Sequence, residues 1–139
     1  MAESIQLEIV TPEKSVVSEE AQIVMSPGSL GEFGVLIGHT PFLTTLKIGT
    51  IRYKDVGGTE KYVFVNGGFA EALPDKVTVL AESAERRRDI DIERAKASLE
   101  RAQKRLAEDA NKAGIDFVRA QVALERAIQR LRISEKGNL

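Results

Sequence analysis

The chain has 139 residues, 42% hydrophobic and 29% charged, with a formal net charge of −1, which excludes a disordered acidic tail and a generally basic nucleic-acid protein. It has no cysteine, so disulfide staples, thiol nucleophiles and zinc–thiolate sites are excluded too. No apolar run reaches the ~18 residues of a membrane span, and the N-terminus lacks a basic-then-apolar leader; a soluble intracellular protein is expected, with a peripheral membrane role open.

The near-neutral average hides a division. Residues 1–81 hold 6 Lys/Arg against 10 Asp/Glu, net −4, while residues 82–139 hold 14 against 11, net +3. All four prolines, nine of eleven glycines and six of seven aromatics precede residue 81; ten of fifteen alanines follow it. Two kinds of structure are joined near residue 85.

The first half reads as short strands. Ile5, Leu7 and Ile9 alternate with Gln6 and Glu8, a period of two with one buried face. Further strand-type runs follow at 21–25, 34–37, 50–54, 61–65 and 76–80. Turns are expected between them at Pro27-Gly28, Gly57-Gly58, Asn66-Gly67-Gly68 and Pro74-Asp75. Short strands with turns every 8–12 residues or so point to a β-sandwich or barrel.

From Asp89 to Ile133 the apolar spacing changes to three and four. Ile92, Ala95, Leu99, Ala102 and Leu106 form one stripe; Phe117, Ala120, Leu124, Ala127 and Leu131 form another. A turn is expected over Asp109–Gly114, which makes the two helices antiparallel. The segments 90–106 and 115–131 match at ten of seventeen positions. Asp91 and Asp116 suit helix N-caps, so a shared helix-start chemistry explains the repeat as well as a duplicated ancestor does. Each buried CH₂ is worth only about 0.8 kcal/mol, so a seam of alternating Ala and Leu is marginal alone. The hairpin is therefore expected to dock on the strands, bind a partner or change state. If the turn straightens, ~45 residues of helix reach nearly 70 Å.

Chemistry-bearing motifs are few. The single histidine, His39, excludes a two-histidine metal motif, and there is no nucleophile elbow or phosphate loop. His39 lies in Gly38-His39-Thr40-Pro41, either as a locally bonded turn residue or as a partner contact. Arg94 and Arg101 share one helix face, as do Arg119, Arg126 and Arg130 on the other helix. They form either a solvated face with ordinary i,i+3 and i,i+4 pairs or, in a closed hairpin, a convergent set of guanidinium forks for one polyphosphate. Asp91 would then orient Arg94 or accept from a sugar or base. Arg86-Arg87-Arg88 reads as a solvated linker, and interspersed glutamates argue against nucleic acid.

In order, Gly31-Glu32-Phe33-Gly34-Val35-Leu36, Gly38-His39-Thr40-Pro41-Phe42-Leu43-Thr44, Gly49-Thr50-Ile51-Arg52, Asn66-Gly67-Gly68-Phe69-Ala70-Glu71 and Val77-Thr78-Val79-Leu80 resemble the epsilon subunits of bacterial F-type ATP synthases. The resemblance covers essentially the whole chain. It implies a β + α fold, with a ten-stranded N-terminal β-sandwich (residues 1–84) followed by a C-terminal antiparallel two-helix hairpin (residues 85–139). It also implies a non-catalytic central-stalk rotor subunit that couples proton flow to ATP synthesis. The sandwich would bind the gamma subunit and the c-ring, with Glu32 and His39 at the ring.

The hairpin, folded, would permit turnover; extended into the alpha/beta catalytic head, it would block ATP hydrolysis through Arg119, Arg126, Arg130 and Arg132. Some members bind ATP on the closed hairpin through Ile/Leu-Asp-x-x-Arg-Ala, which Ile90-Asp91-Ile92-Glu93-Arg94-Ala95 matches in full. Glu85, Arg101, Arg126 and Arg130 fall at that site's other contacts. The resemblance requires no cofactor and no metal; ATP enters as a regulatory ligand. It places the chain peripherally on the cytoplasmic face of the bacterial inner membrane, held there only through the complex. The rival reading is a free-standing adaptor whose basic hairpin binds acidic proteins or nucleic acid.

Overall fold

A computed structural model of the chain describes residues 4–108 and 115–136. The alternation over residues 5–9 becomes strand β1 (Ile5–Val10), with Ile5, Leu7 and Ile9 fully buried. It is followed by β2 (Ser15–Gly28), β3 (Gly31–Leu36), β4 (Phe42–Asp55), β5 (Glu60–Leu73), β6 (Lys76–Ala81) and β7 (Ala84–Arg86). β1 pairs antiparallel with β2 and parallel with β6, and the order β1-β6-β5-β4-β2 closes back on β1. β3 and β7 extend this five-stranded ring by pairing with β2 and β5. Closure gives each of the five ring strands a neighbour on both sides, where an open sheet would leave two of them as free edges.

There are seven strands among the described residues rather than the ten expected. β2, β4 and β5 each continue for fourteen residues where shorter strands were read. β2 pairs with β1 over its first half and with β3 over its second, while β5 changes from β7 to β6. One long strand thus serves both layers. The expected turns at Pro27-Gly28 and Asn66-Gly67-Gly68 fall inside β2 and β5. Gly68 permits a close approach: a Cβ there would sit 2.2 Å from the Leu80 carbonyl oxygen on β6. The turns at Gly57-Gly58 and Pro74-Asp75 lie where expected.

β7 crosses the expected division between residues 84 and 85. A 3-10 turn over Arg87–Asp89 then leads into α1 (Ile92–Glu108), which packs against α2 (Ile115–Glu135). The expected inter-helix turn at Asp109–Gly114 lies outside the described residues. Ala95 and Ala102 on α1 and Ala120 and Ala127 on α2 are the buried residues of the seam, while Leu99, Leu106, Leu124 and Leu131 are only partly buried and Ile92 is exposed. Small side chains bring the helices together but bury little surface.

The main core lies inside the strand ring. A second, small cluster of Phe64, Ile90 and Ile133 joins β5, the linker and α2, with Ile48 and Tyr62 against it. The hairpin therefore meets the sandwich through α2, on β4 and β5. Thr50 on β4 donates its hydroxyl to Gln129 Oε1 at 3.4 Å.

Candidate functional site

Where the linker passes under the two helices there is a cleft of about 670 Å³. Six of the eight residues expected to contact nucleotide line it: Glu85, Asp91, Arg94, Ala95, Arg126 and Arg130. β7 supplies Glu85, the start of α1 supplies Asp91, Arg94 and Ala95, and one face of α2 supplies Arg126 and Arg130. Asp91 acts as the N-cap: its Oδ1 accepts the Arg94 backbone N–H at 3.0 Å, and its carbonyl accepts the Ala95 N–H at 3.0 Å.

Arg130 is the most constrained of the three arginines. Its Nε donates to Glu85 Oε1 at 2.8 Å, and its guanidinium carbon lies 4.3 Å from the centre of the Phe64 ring. The ion pair joins α2 to β7, and the aromatic face beneath holds the fork in orientation.

Two expected residues stand apart. Arg101 lies two helical turns beyond Arg94, about 10 Å further along α1, and touches the cleft only through its rim, its Nη2 donating at 3.0 Å to Oγ of the lining residue Ser98. Ile90 is buried in the cluster with Phe64 and Ile133, so it anchors the linker instead of lining the cleft. Glu13, Ser83, Asp89, Ser98 and Ala123, none of them expected from the sequence, also line it. Asp89 was legible from its place beside the motif; Glu13, more than seventy residues away along the chain, carried no local signal.

The other candidates lie elsewhere. His39 is half-buried; its Nδ1–H donates to the Thr40 carbonyl at 2.6 Å and its ring meets Phe42 edge-on at 5.0 Å. Glu32 is exposed on β3 and lines a smaller cleft of about 310 Å³ with Lys47, Glu125 and Gln129. Arg119 and Arg132 are exposed on α2. On another face, Phe69 and its register partner Leu80 are more than half exposed beside an apolar groove of about 600 Å³.

This architecture has relatives. Residues 4–87 match the family described as ATP synthase, Delta/Epsilon chain, beta-sandwich domain, and residues 88–135 match its long alpha-helix domain. The chain belongs to the ATP synthase delta/epsilon family. Within that family it sides with the bacterial epsilon chains. The ATP synthase epsilon chain of Desulforapulum autotrophicum is 67% identical over 135 residues, covering 97% of this chain and 98% of its own length. That of Syntrophobacter fumaroxidans is 55% identical over 136 residues, covering 98% and 99%.

A chain in the Euglena gracilis mitochondrial ATP synthase structure (OSCP/F1/c-ring) shares the fold, with a TM-score of 0.79 at 21% identity over 99% of this chain and 82% of that one. An epsilon chain is a non-catalytic accessory subunit of the ATP synthase central stalk, so this chain works as part of a membrane-associated complex. Among the described residues no helix is long and apolar enough to cross a membrane.

Proposed function

We propose that this epsilon chain is both the foot and the brake of its rotor. The sandwich binds the gamma subunit through the apolar face around Phe69 and Leu80, and meets the c-ring through Glu32 and His39, so proton flow is coupled to ATP synthesis at the cytoplasmic face of the inner membrane. The hairpin, when released, extends along gamma and blocks ATP hydrolysis with Arg119, Arg126, Arg130 and Arg132 against the alpha/beta head. ATP in the cleft holds the hairpin down.

The observation that supports this reading is the narrowness of the hairpin's hold. Among the described residues, the cluster of Phe64, Ile90 and Ile133 with Ile48 and Tyr62 at its edge, the partly exposed Arg130–Glu85 pair, the Thr50–Gln129 hydrogen bond and the Arg130 and Lys136 cations over Phe64 and Tyr62 join it to a sandwich with its own complete core. A contact that small is near balance, as a switching element requires. Arg126 and Arg130 face the cleft in the docked form, so they serve either the nucleotide or the head, and never both together. A ligand bound only to the docked form stabilises it by RT ln(1 + [L]/Kd), about 1.4 kcal/mol at ten times Kd.

Deleting every residue after 86 should raise ATP hydrolysis by the reconstituted catalytic complex; an unchanged rate removes the inhibitory role and leaves only coupling. Calorimetric titration of the isolated chain with ATP should give binding that Arg94→Ala abolishes. Asp91→Asn is the better partner variant, because asparagine keeps the helix cap that alanine would remove.

A further inference from the structure

The cleft under the hairpin is not simply a cationic cradle. Its three guanidiniums, from Arg94, Arg126 and Arg130, are accompanied by four carboxylates. Three of these lie on the continuous stretch that runs from β7 into α1. Glu85 is bonded to Arg130, Asp91 caps α1, and Asp89 ends the 3-10 turn. Glu13 differs because it reaches the cleft from a distant segment of the chain, the turn between β1 and β2. That turn is held without the Glu13 side chain. The Thr11 N–H donates to the Lys14 carbonyl at 2.9 Å, and Thr11 Oγ1 accepts the backbone N–H groups of Glu13 and Lys14 at 3.3 and 3.2 Å. Glu13 thus lines the cleft from a backbone that these bonds hold without its carboxylate.

We infer that Glu13 is the charge-selecting residue of this cleft, a negative charge delivered by the sandwich that sets how tightly the hairpin's arginines hold a polyphosphate. The inference rests on the reading of the cleft as a nucleotide site. The formal charge of the lining groups is already −1 before a ligand enters, from three arginines and four carboxylates. A triphosphate therefore meets attraction from the forks and repulsion from Glu13 together. In a water-filled cleft at physiological salt, with charges separated by about one screening length, the repulsion summed over a triphosphate amounts to about a three- to tenfold loss of affinity. The loss falls with ligand charge, so Glu13 discriminates between nucleotides by their phosphate number.

The test is a titration of the full chain with magnesium-free ATP, ADP and adenosine. Glu13→Gln should bind ATP about three- to tenfold more tightly than the wild type, ADP with a smaller gain and adenosine with none, and the gain should shrink as salt is raised. Glu13→Asp, which keeps the charge, and Glu71→Gln, whose carboxylate lies outside the cleft, should follow the wild type. If ATP affinity in Glu13→Gln is unchanged while Arg94→Ala still weakens it, the role of Glu13 is overturned and the nucleotide reading stands. An equal gain for ATP and adenosine overturns charge selection and leaves a steric effect. If neither the wild type nor Glu13→Gln takes up millimolar ATP, the nucleotide reading falls and this inference with it.

Discussion

Tyr53 is closed to solvent, and its hydroxyl donates to Glu19 Oε1. Glu19 also holds the Lys61 ammonium at 3.1 Å, with Arg86 Nη1 at 3.9 Å. Burial alone would raise the Glu19 pKa, but the Tyr53 and Lys61 hydrogen bonds and the charges of Lys61 and Arg86 outweigh it and hold the carboxyl below its ordinary value. Lys61 is raised, first by its bond to Glu19. The depressed carboxylate adds stability that is present above the ordinary carboxylate range and lost as pH falls through its folded-state pKa. The raised ammonium adds stability that is present below the ordinary lysine range and lost as pH rises beyond it. Urea midpoints should therefore hold level between about pH 5 and 10 and decline on both sides. Glu19→Gln should make both limbs shallower without removing them, because Asp55 still pairs with Lys61 and burial still keeps the Tyr53 phenol neutral; a pH profile identical to the wild type would show that Glu19 contributes nothing. Tyr53→Phe keeps the packing but strips one bond from a partly buried carboxylate, and should cost about 1–2 kcal/mol in the same measurement. The network also fixes β7, since Arg86 Nε donates to the Val16 carbonyl at 2.9 Å; any movement of the hairpin is thereby directed to the residues that follow.

The helices show how far one sequence discloses its elements. Both were legible from their stripes, as was the Asp91 cap, because helix spacing and capping are local. The long strands were not. Pro27-Gly28 and Gly67-Gly68 look like turns in isolation, but Pro27 and Gly28 are buried within β2, and a Cβ on Gly49 would lie 2.8 Å from that of Pro27; only the assembled layers reveal that these small residues permit close packing. The same limit hid Glu13, which topology alone brings to the cleft. The local stripe also overstated the seam's leucines, whose burial depends on what α2 meets. Two substitutions separate seam from dock. Ala127 is 1% exposed between the helices, and Ala127→Leu should overpack the seam at a cost of about 1–3 kcal/mol, seen as helicity lost at lower temperature. Ile133 is fully buried against Phe64 and Ile90, and Ile133→Ala should remove about 2–4 kcal/mol from the dock. Hydrogen exchange should then quicken in α1 and α2 while β1 and β6 keep their protection. Equal acceleration in the strands would mean that hairpin and sandwich unfold as one unit.

At the scale of the molecule, an acidic strand ring with its own core bears a basic hairpin of small side chains, and the two meet at one narrow seat. If release of the hairpin is what inhibits hydrolysis, tethering it there should abolish inhibition without touching a single residue of the cleft. Thr50 on β4 and Gln129 on α2 mark the place, because their side chains meet at 3.4 Å in the docked form and would be far apart in an extended one. The chain has no cysteine of its own, so a Thr50→Cys, Gln129→Cys double variant offers only the two introduced thiols, which a short reducible bifunctional reagent can bridge. In the reconstituted complex the bridged subunit should give the faster hydrolysis of the chain cut after residue 86, and reduction should bring the rate back to that of the wild type. Each single-cysteine variant controls for modification alone. A bridged subunit that still inhibits would show that the docked hairpin is itself inhibitory. The narrow seat would then be a structural joint, not a switch.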